Sequence, residues 1–259
     1  SGVFLNKFIN TTRRKEYTQT KEIELLNEAL LNEMEERNLT RIELEKVLKE
    51  LKDSLSYAQS LQLTLIPRDN KLSEIFPESF ILFRPRDAVS GDFYWIFNAG
   101  DKTIIVVADC TGHGIPGAFM SIFGITLLKM IVKQLIVNNK ELIASEILKA
   151  LNTEVIETMK ASSVTQERKD GMDISLCIYD NQTRILQFSG AYSDLWIVEK
   201  EGDEPKLSKI KGIKMPVGIH FNTYEFENHV FQMAPSTTVY LQTDGFKDQF
   251  GGERGKRYM

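Results

Sequence analysis

The sequence predicts an α+β protein with largely antiparallel sheets, preceded by one long helix. A stretch without Gly or Pro, rich in Glu, Lys and Leu, runs from about residue 16 to residue 66. Short runs of β-branched and aromatic residues follow Pro67, and two helical patterns separate the first three runs from the last four. Strands on either side of a helical pair are typical of α+β folds. We therefore divide the chain into a helical segment, 1–66, and a globular domain, 67–259.

The long helix has the spacing of a coiled coil. Apolar residues recur at alternating steps of three and four residues. The seam consists of eight apolar and three polar positions: Ile23, Asn27, Leu30, Met34, Arg37, Arg41, Leu44, Leu48, Leu51, Leu55 and Ala58. About 50 helical residues would extend roughly 75 Å, which favours a homodimer over the alternative of a lone helix lying on its own domain. The polar positions weaken the pairing and could set its register.

Beyond Pro67, changes in the spacing of apolar residues predict the helices and strands. Proline disfavours helical backbone at the residue before it, so the long helix ends there. Strands are predicted at 80–84, 93–97, 103–108, 174–179, 185–189, 195–199 and 238–242, with helices at 116–138 and 140–161. Turn-forming residues separate most of these runs.

Composition excludes several classes of protein. A net charge of −4 gives no basic surface for nucleic acid. Two cysteines cannot form a disulfide framework, and three histidines leave little for a zinc cluster. The most apolar stretch, 119–132, contains Lys129 and is shorter than the roughly 20 residues of a membrane span. We expect a cytoplasmic protein, or the cytoplasmic part of a larger membrane sensor.

Three aspartates stand beside glycines at the ends of predicted strands. They are Asp92, Asp109 and Asp244. A carboxylate just past a buried strand is held by a rigid element yet faces open space. Three converging carboxylates would repel one another unless a hard cation such as Mg²⁺ or Mn²⁺ lay between them. Each aspartate alone is more typical of a simple turn, so the pattern leaves a metal site and three structural turns both open.

The stretch 112–117 matches the glycine pattern of dinucleotide-binding loops. It follows a strand and opens a helix, where a pyrophosphate would bind. However, the carboxylate of Asp109 stands where a second anion would have to bind. Pro116 also suits the first turn of a helix, so we expect the glycines to shape a loop onto that helix.

Four ordered motifs carry a family resemblance. They comprise 90–95, 107–121, 171–175 and the pair 243–246 with 249–252. Together they resemble the SpoIIE-type branch of the PPM metal-dependent serine/threonine protein phosphatases, in an RsbU-like arrangement. The resemblance covers about 57–259, and the segments 57–62 and 65–67 are similar to the helix that leads into that family's catalytic domain.

The resemblance implies an α-β-β-α sandwich of two antiparallel sheets with a site for two Mn²⁺ or Mg²⁺ ions at one edge. It implies that Asp92, Asp109 and Asp244 are catalytic metal ligands, with Asp109 as the bridge. The main-chain carbonyl of Cys110 would be a further ligand. The ions would activate a water for attack on phosphorus, so no protein nucleophile is required.

Three nearby residues have open roles. His113 could donate a proton to the leaving oxygen, or it could hydrogen-bond the glycine loop, which we favour. The thiol of Cys110 could be a nucleophile in its own right. Asp173 could lie just outside the metal ligands or could cap an element.

The implied function is hydrolysis of phosphoserine or phosphothreonine on a regulatory protein in bacterial signalling. The resemblance implies an anti-sigma-factor antagonist as substrate and an upstream sensor domain, with control through the dimerising helix. The family pattern continues beyond this chain to a further acidic pair, so we expect a missing fourth carboxylate and impaired activity. Two alternatives are a non-catalytic dimerising or docking module with the same fold, and hydrolysis of a small phosphate ester.

Overall fold

The computed structural model describes residues 2–67, 70–161, 170–201, 204–218, 225–245, 248, 250–251 and 256–257. The chain divides into two compact units, 1–54 and 55–259. The described elements are α1 Gly2–Leu65, α2 Asn70–Ile75, β1 Phe93–Ala99, β2 Lys102–Cys110, α3 Ile115–Val137, α4 Ala144–Ala161, β3 Met172–Asp180, β4 Ile185–Ala191, β5 Leu195–Glu201, β6 Glu204–Ile210, β7 His229–Gln232, β8 Thr238–Leu241, β9 Phe250–Gly251 and β10 Lys256–Arg257.

The first unit consists only of the part of helix α1 that precedes residue 55. Its residues from 13 to 54 are all exposed, including seam leucines such as Leu30 and Leu44. Two of the polar seam residues form contacts within their own helix. Arg37 lies 2.8 Å from Glu33, and Arg41 lies 3.7 Å from Glu45. The long helix is thus confirmed, while its pairing with a second helix stays a prediction.

The strands form antiparallel sheets, as the sequence predicted. The larger sheet has the order β1-β2-β3-β4-β7, the second has β6-β5-β8, and β9 pairs with β10. The longest ladder joins β2 to β3, from Lys102 opposite Asp180 to Cys110 opposite Met172. This register fixes which strand ends meet at each edge of the sheet.

Side chains along the central strands point alternately to the two faces of the larger sheet, and each face contributes to a separate hydrophobic cluster. On one face Ile104, Val106, Ile174 and Leu176 pack with the helices α3 and α4. On the other face Cys177 and residues of β4 and β5 form a second cluster between the two sheets. The larger sheet is therefore buried on both faces, with helices on one side and the smaller sheet on the other.

Helix α3 is long and apolar enough to cross a membrane, judged by length and composition alone. In the structure it is a core helix, because more than half of its most apolar window is buried. Small residues on its inner side, Gly117, Ala118, Ser121 and Gly124, allow close packing. Asn139, in left-handed backbone at φ 50°, follows the end of the helix.

Two expectations for element boundaries were wrong. The run 80–84 forms no strand, because among the described residues its backbone pairs with no neighbouring strand. It nevertheless alternates, with Ile81 and Phe83 against the core while Phe80 and Leu82 are exposed. The second helix begins at Ala144 rather than residue 140, and the amide of Ala144 donates to Gln187 Oε1 at 3.2 Å.

Candidate metal centre

The ends of strands β1 and β2 bring Asp92 and Asp109 to one edge of the larger sheet. Phe93 at the start of β1 lies opposite Ala108 near the end of β2. Asp92 immediately precedes Phe93, and Asp109 immediately follows Ala108. Because antiparallel neighbours run in opposite directions, the start of one strand meets the end of the next. The two carboxylates therefore lie side by side.

Asp244 reaches the same place from the smaller sheet. It follows strand β8 by three residues. Asp92 and Asp244 both lie close enough to Asp109 to raise the pKa of its carboxyl group. The structure thus brings together the three aspartates that the sequence singled out, from positions far apart in the chain.

The electrostatics of this cluster are unfavourable without a cation. Burial, and then the charges and hydrogen bonds of Asp92 and Asp244, raise the pKa of Asp109 from 3.8 to about 8. A proton held between carboxylates relieves their repulsion. A divalent cation would relieve it more completely, because carboxylate oxygens are the ligands that Mg²⁺ and Mn²⁺ prefer.

The donor set therefore fits a hard divalent cation in its chemistry. Over the described ranges, no three His, Cys, Asp or Glu side chains are already arranged in the geometry of a metal site. Binding would therefore require the three side chains to rearrange around the ion.

Three glycines hold the loops of the site in close contact. A Cβ atom on Gly91 would lie 2.9 Å from the Gly112 carbonyl oxygen and 3.0 Å from that of Cys110. A Cβ atom on Gly117 would overlap the same Gly112 oxygen and lie 3.0 Å from the Gly91 Cα. Gly112 itself has φ 89°, which favours glycine. The glycines thus shape a loop and bring the Cys110 carbonyl beside the residue that precedes Asp92.

The thiol of Cys110 is a poor candidate nucleophile. Its side chain is buried, and burial raises its pKa, with further contributions from Asp109, Asp92 and Asp173. The thiolate is the reactive form of cysteine, and this thiol stays protonated. Of the two roles considered for Cys110, the structure favours the one that uses only its main-chain carbonyl.

Asp173 lies directly opposite Asp109 in the ladder between β2 and β3. It is therefore one strand away from the cluster, at the same edge of the sheet. Thr111 fixes this junction, since its amide donates to the Gly171 carbonyl at 2.9 Å and its hydroxyl accepts from the Gly171 amide at 2.9 Å. This position favours a role beside the cluster over a capping role.

His113 is exposed at the tip of the glycine loop. Its side chain is 80% exposed, and its Nδ1 lies 3.7 Å from Oδ2 of Asp87. Within the described residues it forms no hydrogen bond with the loop. A pair this exposed contributes little to stability. The loop-holding role that we favoured for His113 therefore finds no contact to support it.

The comparison with protein families decides the assignment. The family model described as stage II sporulation protein E (SpoIIE) matches residues 99–258. The chain belongs to the SpoIIE family. It is also similar to the SiaA-PP2C domain of Pseudomonas aeruginosa, at 32% identity and a TM-score of 0.69, covering 82% of this chain and 79% of that chain. The α+β fold and the family resemblance are confirmed.

More distant solved structures resemble the SpoIIE-family fold as well. The RsbU and RsbW domains of Rv1364c from Mycobacterium tuberculosis match at 19% identity and a TM-score of 0.50, over 65% of this chain and 42% of that chain. The PP2C phosphatase domain of SpoIIE from Bacillus subtilis, with a regulatory fragment, matches at 22% and 0.46, over 61% and 41%. No curated protein sequence matches the chain significantly. Residues 246, 249 and 252 of the motifs lie outside the described residues.

Two residues of this SpoIIE-family chain make contacts beside the candidate site that were not predicted. The hydroxyl of Thr243 donates to Asp92 Oδ2 at 2.8 Å, which fixes the orientation of that carboxylate. Gln62, in the last turn of α1, is buried and contacts Ser90 and Ser121. The signal available for Thr243 was its position directly before the predicted ligand Asp244. The signal available for Gln62 was that it is a polar residue within the motif 57–62, which we had assigned only to the leading helix.

Proposed function

We propose that this chain removes phosphate from phosphoserine or phosphothreonine of a regulatory protein in bacterial signalling. The observation that carries the proposal is the convergence of Asp92, Asp109 and Asp244 at one edge of the larger sheet. A purely structural domain gains nothing from gathering three like charges, because their repulsion destabilises the fold. Membership of the SpoIIE family and similarity to a PP2C domain support the same activity.

Two Mn²⁺ or Mg²⁺ ions are the proposed cofactors. Asp92, Asp109 and Asp244 would hold them, with Asp109 shared between both and the Cys110 carbonyl as a further ligand. When bound, such ions lower the pKa of a water and neutralise charge on a phosphoryl group. The buried, protonated Cys110 thiol supports a reaction without a protein nucleophile.

The chain's own residues orient this site. Thr243 holds Asp92 through its hydroxyl, and the close contact of Gly91 with Gly112 keeps two loops together. We assign His113 to proton donation at the leaving oxygen, because its exposed imidazole is free of bonds to the loop among the described residues. An imidazole positioned beside a leaving oxygen can act as its general acid.

Control through helix α1 is the proposed regulation. The exposed apolar seam of residues 13–54 would pair with a second copy of the helix. Polar seam residues make such pairing weak, so an upstream sensor domain could shift it between two packings. We propose a cytoplasmic protein, free or attached to a membrane sensor. Its substrate would be a phosphoprotein such as an anti-sigma-factor antagonist.

The test is release of phosphate from a phosphoserine peptide by the full-length protein with Mn²⁺. The variant Asp109→Asn should lose nearly all activity. Asp180→Asn is the matched control: Asp180 lies at the opposite end of the same sheet and accepts hydrogen bonds from the amides of Gln182 and Thr183, which asparagine retains. Activity that is independent of Mn²⁺ or unaffected by Asp109→Asn would contradict the proposal. Complete absence of activity and of metal binding would favour the docking module.

A further inference from the structure

An exposed tyrosine stands at the same edge of the sheet as the carboxylate cluster. Tyr192 immediately follows strand β4. In the ladder between β2 and β3, Asp109 lies opposite Asp173, and the next residue, Ile174, forms a bridge with Tyr192. Strands lie about 4.8 Å apart, so two strand spacings separate the backbones of Asp109 and Tyr192 by about 10 Å.

The backbone of Tyr192 has a conformation that tyrosine rarely adopts. Its φ is 55°, and only Asn139 and Arg184 share such a value among the non-glycine residues that the structure describes. Glycine or asparagine would occupy this turn at lower cost in free energy. The turn by itself therefore gives no reason for an aromatic residue at this position, and strain of this kind is often retained at functional sites.

The turn is nevertheless held firmly. The amide of Tyr192 donates to the Ile213 carbonyl at 2.7 Å. Ser193 accepts a hydrogen bond from the Ser175 hydroxyl at 2.8 Å, and its own hydroxyl donates to the Gln242 carbonyl at 3.3 Å. Gln242 lies two residues before Asp244. The position of Tyr192 is thus fixed relative to the strand end that carries Asp244.

The side chain of Tyr192 is free to meet a ligand. It is 56% exposed, although a ring of this size gains most from burial. Aromatic rings contribute a large contact area at low entropic cost, which is why they are frequent in binding surfaces. An extended peptide advances about 3.3 Å per residue, so about 10 Å corresponds to two or three residues.

We propose that Tyr192 is a specificity-determining residue whose ring binds the substrate polypeptide two or three residues from the phosphorylated side chain. This inference rests on the proposed phosphatase function and adds the recognition of a peptide chain to it. A phosphate ester without a peptide chain would not reach the ring.

The experiment compares two substrates with the full-length protein and Mn²⁺. One is an eleven-residue phosphoserine peptide with apolar residues on both sides of a central phosphoserine, and the other is p-nitrophenyl phosphate. Tyr192→Gly should raise KM for the peptide about fivefold or more while changing kcat/KM for p-nitrophenyl phosphate by less than about twofold. Its Tm should stay equal or rise, because glycine relieves the backbone strain. Tyr192→Phe should retain the peptide KM.

Arg184→Gly is the matched control. Arg184 has φ 60° and lies at the other end of strand β4, so the substitution relieves the same strain far from the cluster. It should leave both substrates unaffected. If Tyr192→Gly leaves the peptide KM unchanged, or lowers activity on both substrates equally, this inference is overturned while the proposed function stands. A wild-type protein that hydrolyses neither substrate overturns both.

Discussion

Gln62 binds both main-chain polar groups of Ser90. Its Nε2 donates to the Ser90 carbonyl at 2.6 Å, and its Oε1 accepts from the Ser90 amide at 3.1 Å. The same Nε2 donates to the Ser121 hydroxyl on α3 at 2.7 Å. All three residues are buried. Because Ser90 lies two residues before Asp92, the last turn of α1 fixes the backbone that carries a proposed ligand.

Replacing Gln62 with leucine should destabilise the globular domain and weaken Mn²⁺ binding. The substitution leaves the buried main-chain amide of Ser90 without a partner, which costs about 1–3 kcal/mol, while the Ser90 carbonyl keeps the Ser121 hydroxyl at 3.2 Å. We expect a lower Tm and a smaller rise of Tm with added Mn²⁺. Gln59→Leu, one turn earlier on the same helix, is the matched control. If both variants behave alike, the role assigned to Gln62 is wrong.

Replacing Gly117 with alanine should separate the two loops of the site. The added Cβ would overlap the Gly112 carbonyl oxygen, which is backbone and cannot move aside cheaply. Overpacking of this kind costs about 1–3 kcal/mol, so chemical unfolding should show a matching loss of stability. At Gly100 a Cβ would meet nothing within 4 Å. Gly100 has φ 75°, so Gly100→Ala shows the cost of backbone strain without any overlap, and unchanged stability of Gly117→Ala would contradict the close contact.

The metal-free protein should lose stability as the pH rises from about 4 to about 8. The pKa of Asp109 is raised from 3.8 to about 8 by burial and then by the two neighbouring aspartates. Between these values the folded chain holds a proton that the unfolded chain has released, so the stabilisation is complete at the low end and lost at the high end.

Thermal unfolding in EDTA across this pH range measures the effect. Asp109→Asn should show a shallower fall of Tm with pH, because asparagine resembles the protonated aspartate and does not titrate. Added Mn²⁺ should restore the Tm of the wild-type protein at about pH 8 and leave that of Asp109→Asn nearly unchanged. Parallel pH profiles for the two proteins in EDTA would show that Asp109 does not retain its proton.

Thr243→Val should weaken Mn²⁺ binding with little change in fold. The substitution preserves shape but removes the hydroxyl that donates to Asp92 Oδ2. Partners that orient ligands commonly contribute about tenfold or more to metal affinity. Thr243→Ser keeps the donor and should bind Mn²⁺ nearly as well as the wild type in a calorimetric titration. If Thr243→Val binds Mn²⁺ with the wild-type affinity, Thr243 does not orient a metal ligand.

Leucine at Arg37 and Arg41 should strengthen the proposed dimer. Both arginines occupy seam positions and make only contacts within their own helix among the described residues. Replacing a charged seam residue with leucine removes its desolvation cost on pairing. Analytical sedimentation should give a dimer dissociation constant at least about tenfold lower than that of the wild type. Lys46→Leu with Asp53→Leu, on the opposite side of the helix, is the control, and no difference between the two double variants would argue against this seam.

The parts of the fold that local patterns determine were predictable. Alternating apolar residues located β1 to β5 and β8 to within a few residues, since a strand buried on one or both faces shows its period directly. The family resemblance implied the convergence of Asp92 and Asp109, whereas their strand ends and glycines alone left a metal site and separate turns both open. Strand β6 was missed, since its charged and exposed sequence carries no apolar alternation.

Contacts between distant residues could not be read from spacing. Gln62 lies 28 residues from Ser90, and Thr243 lies 151 residues from Asp92. Their pairing depends on the register and packing of whole elements, which a local pattern does not specify. The left-handed backbone of Tyr192 was not predictable either, because its turn bonds to Ile213, in a distant segment of the chain.

The central claim is that Asp92, Asp109 and Asp244 hold divalent metal. Anomalous diffraction from crystals of the full-length protein grown with Mn²⁺ tests it most directly. We predict two anomalous peaks at this edge of the larger sheet, with Asp109 in contact with both. The carboxylates should then lie around the ions. Saturating Mn²⁺ without a peak beside Asp109 would contradict the account.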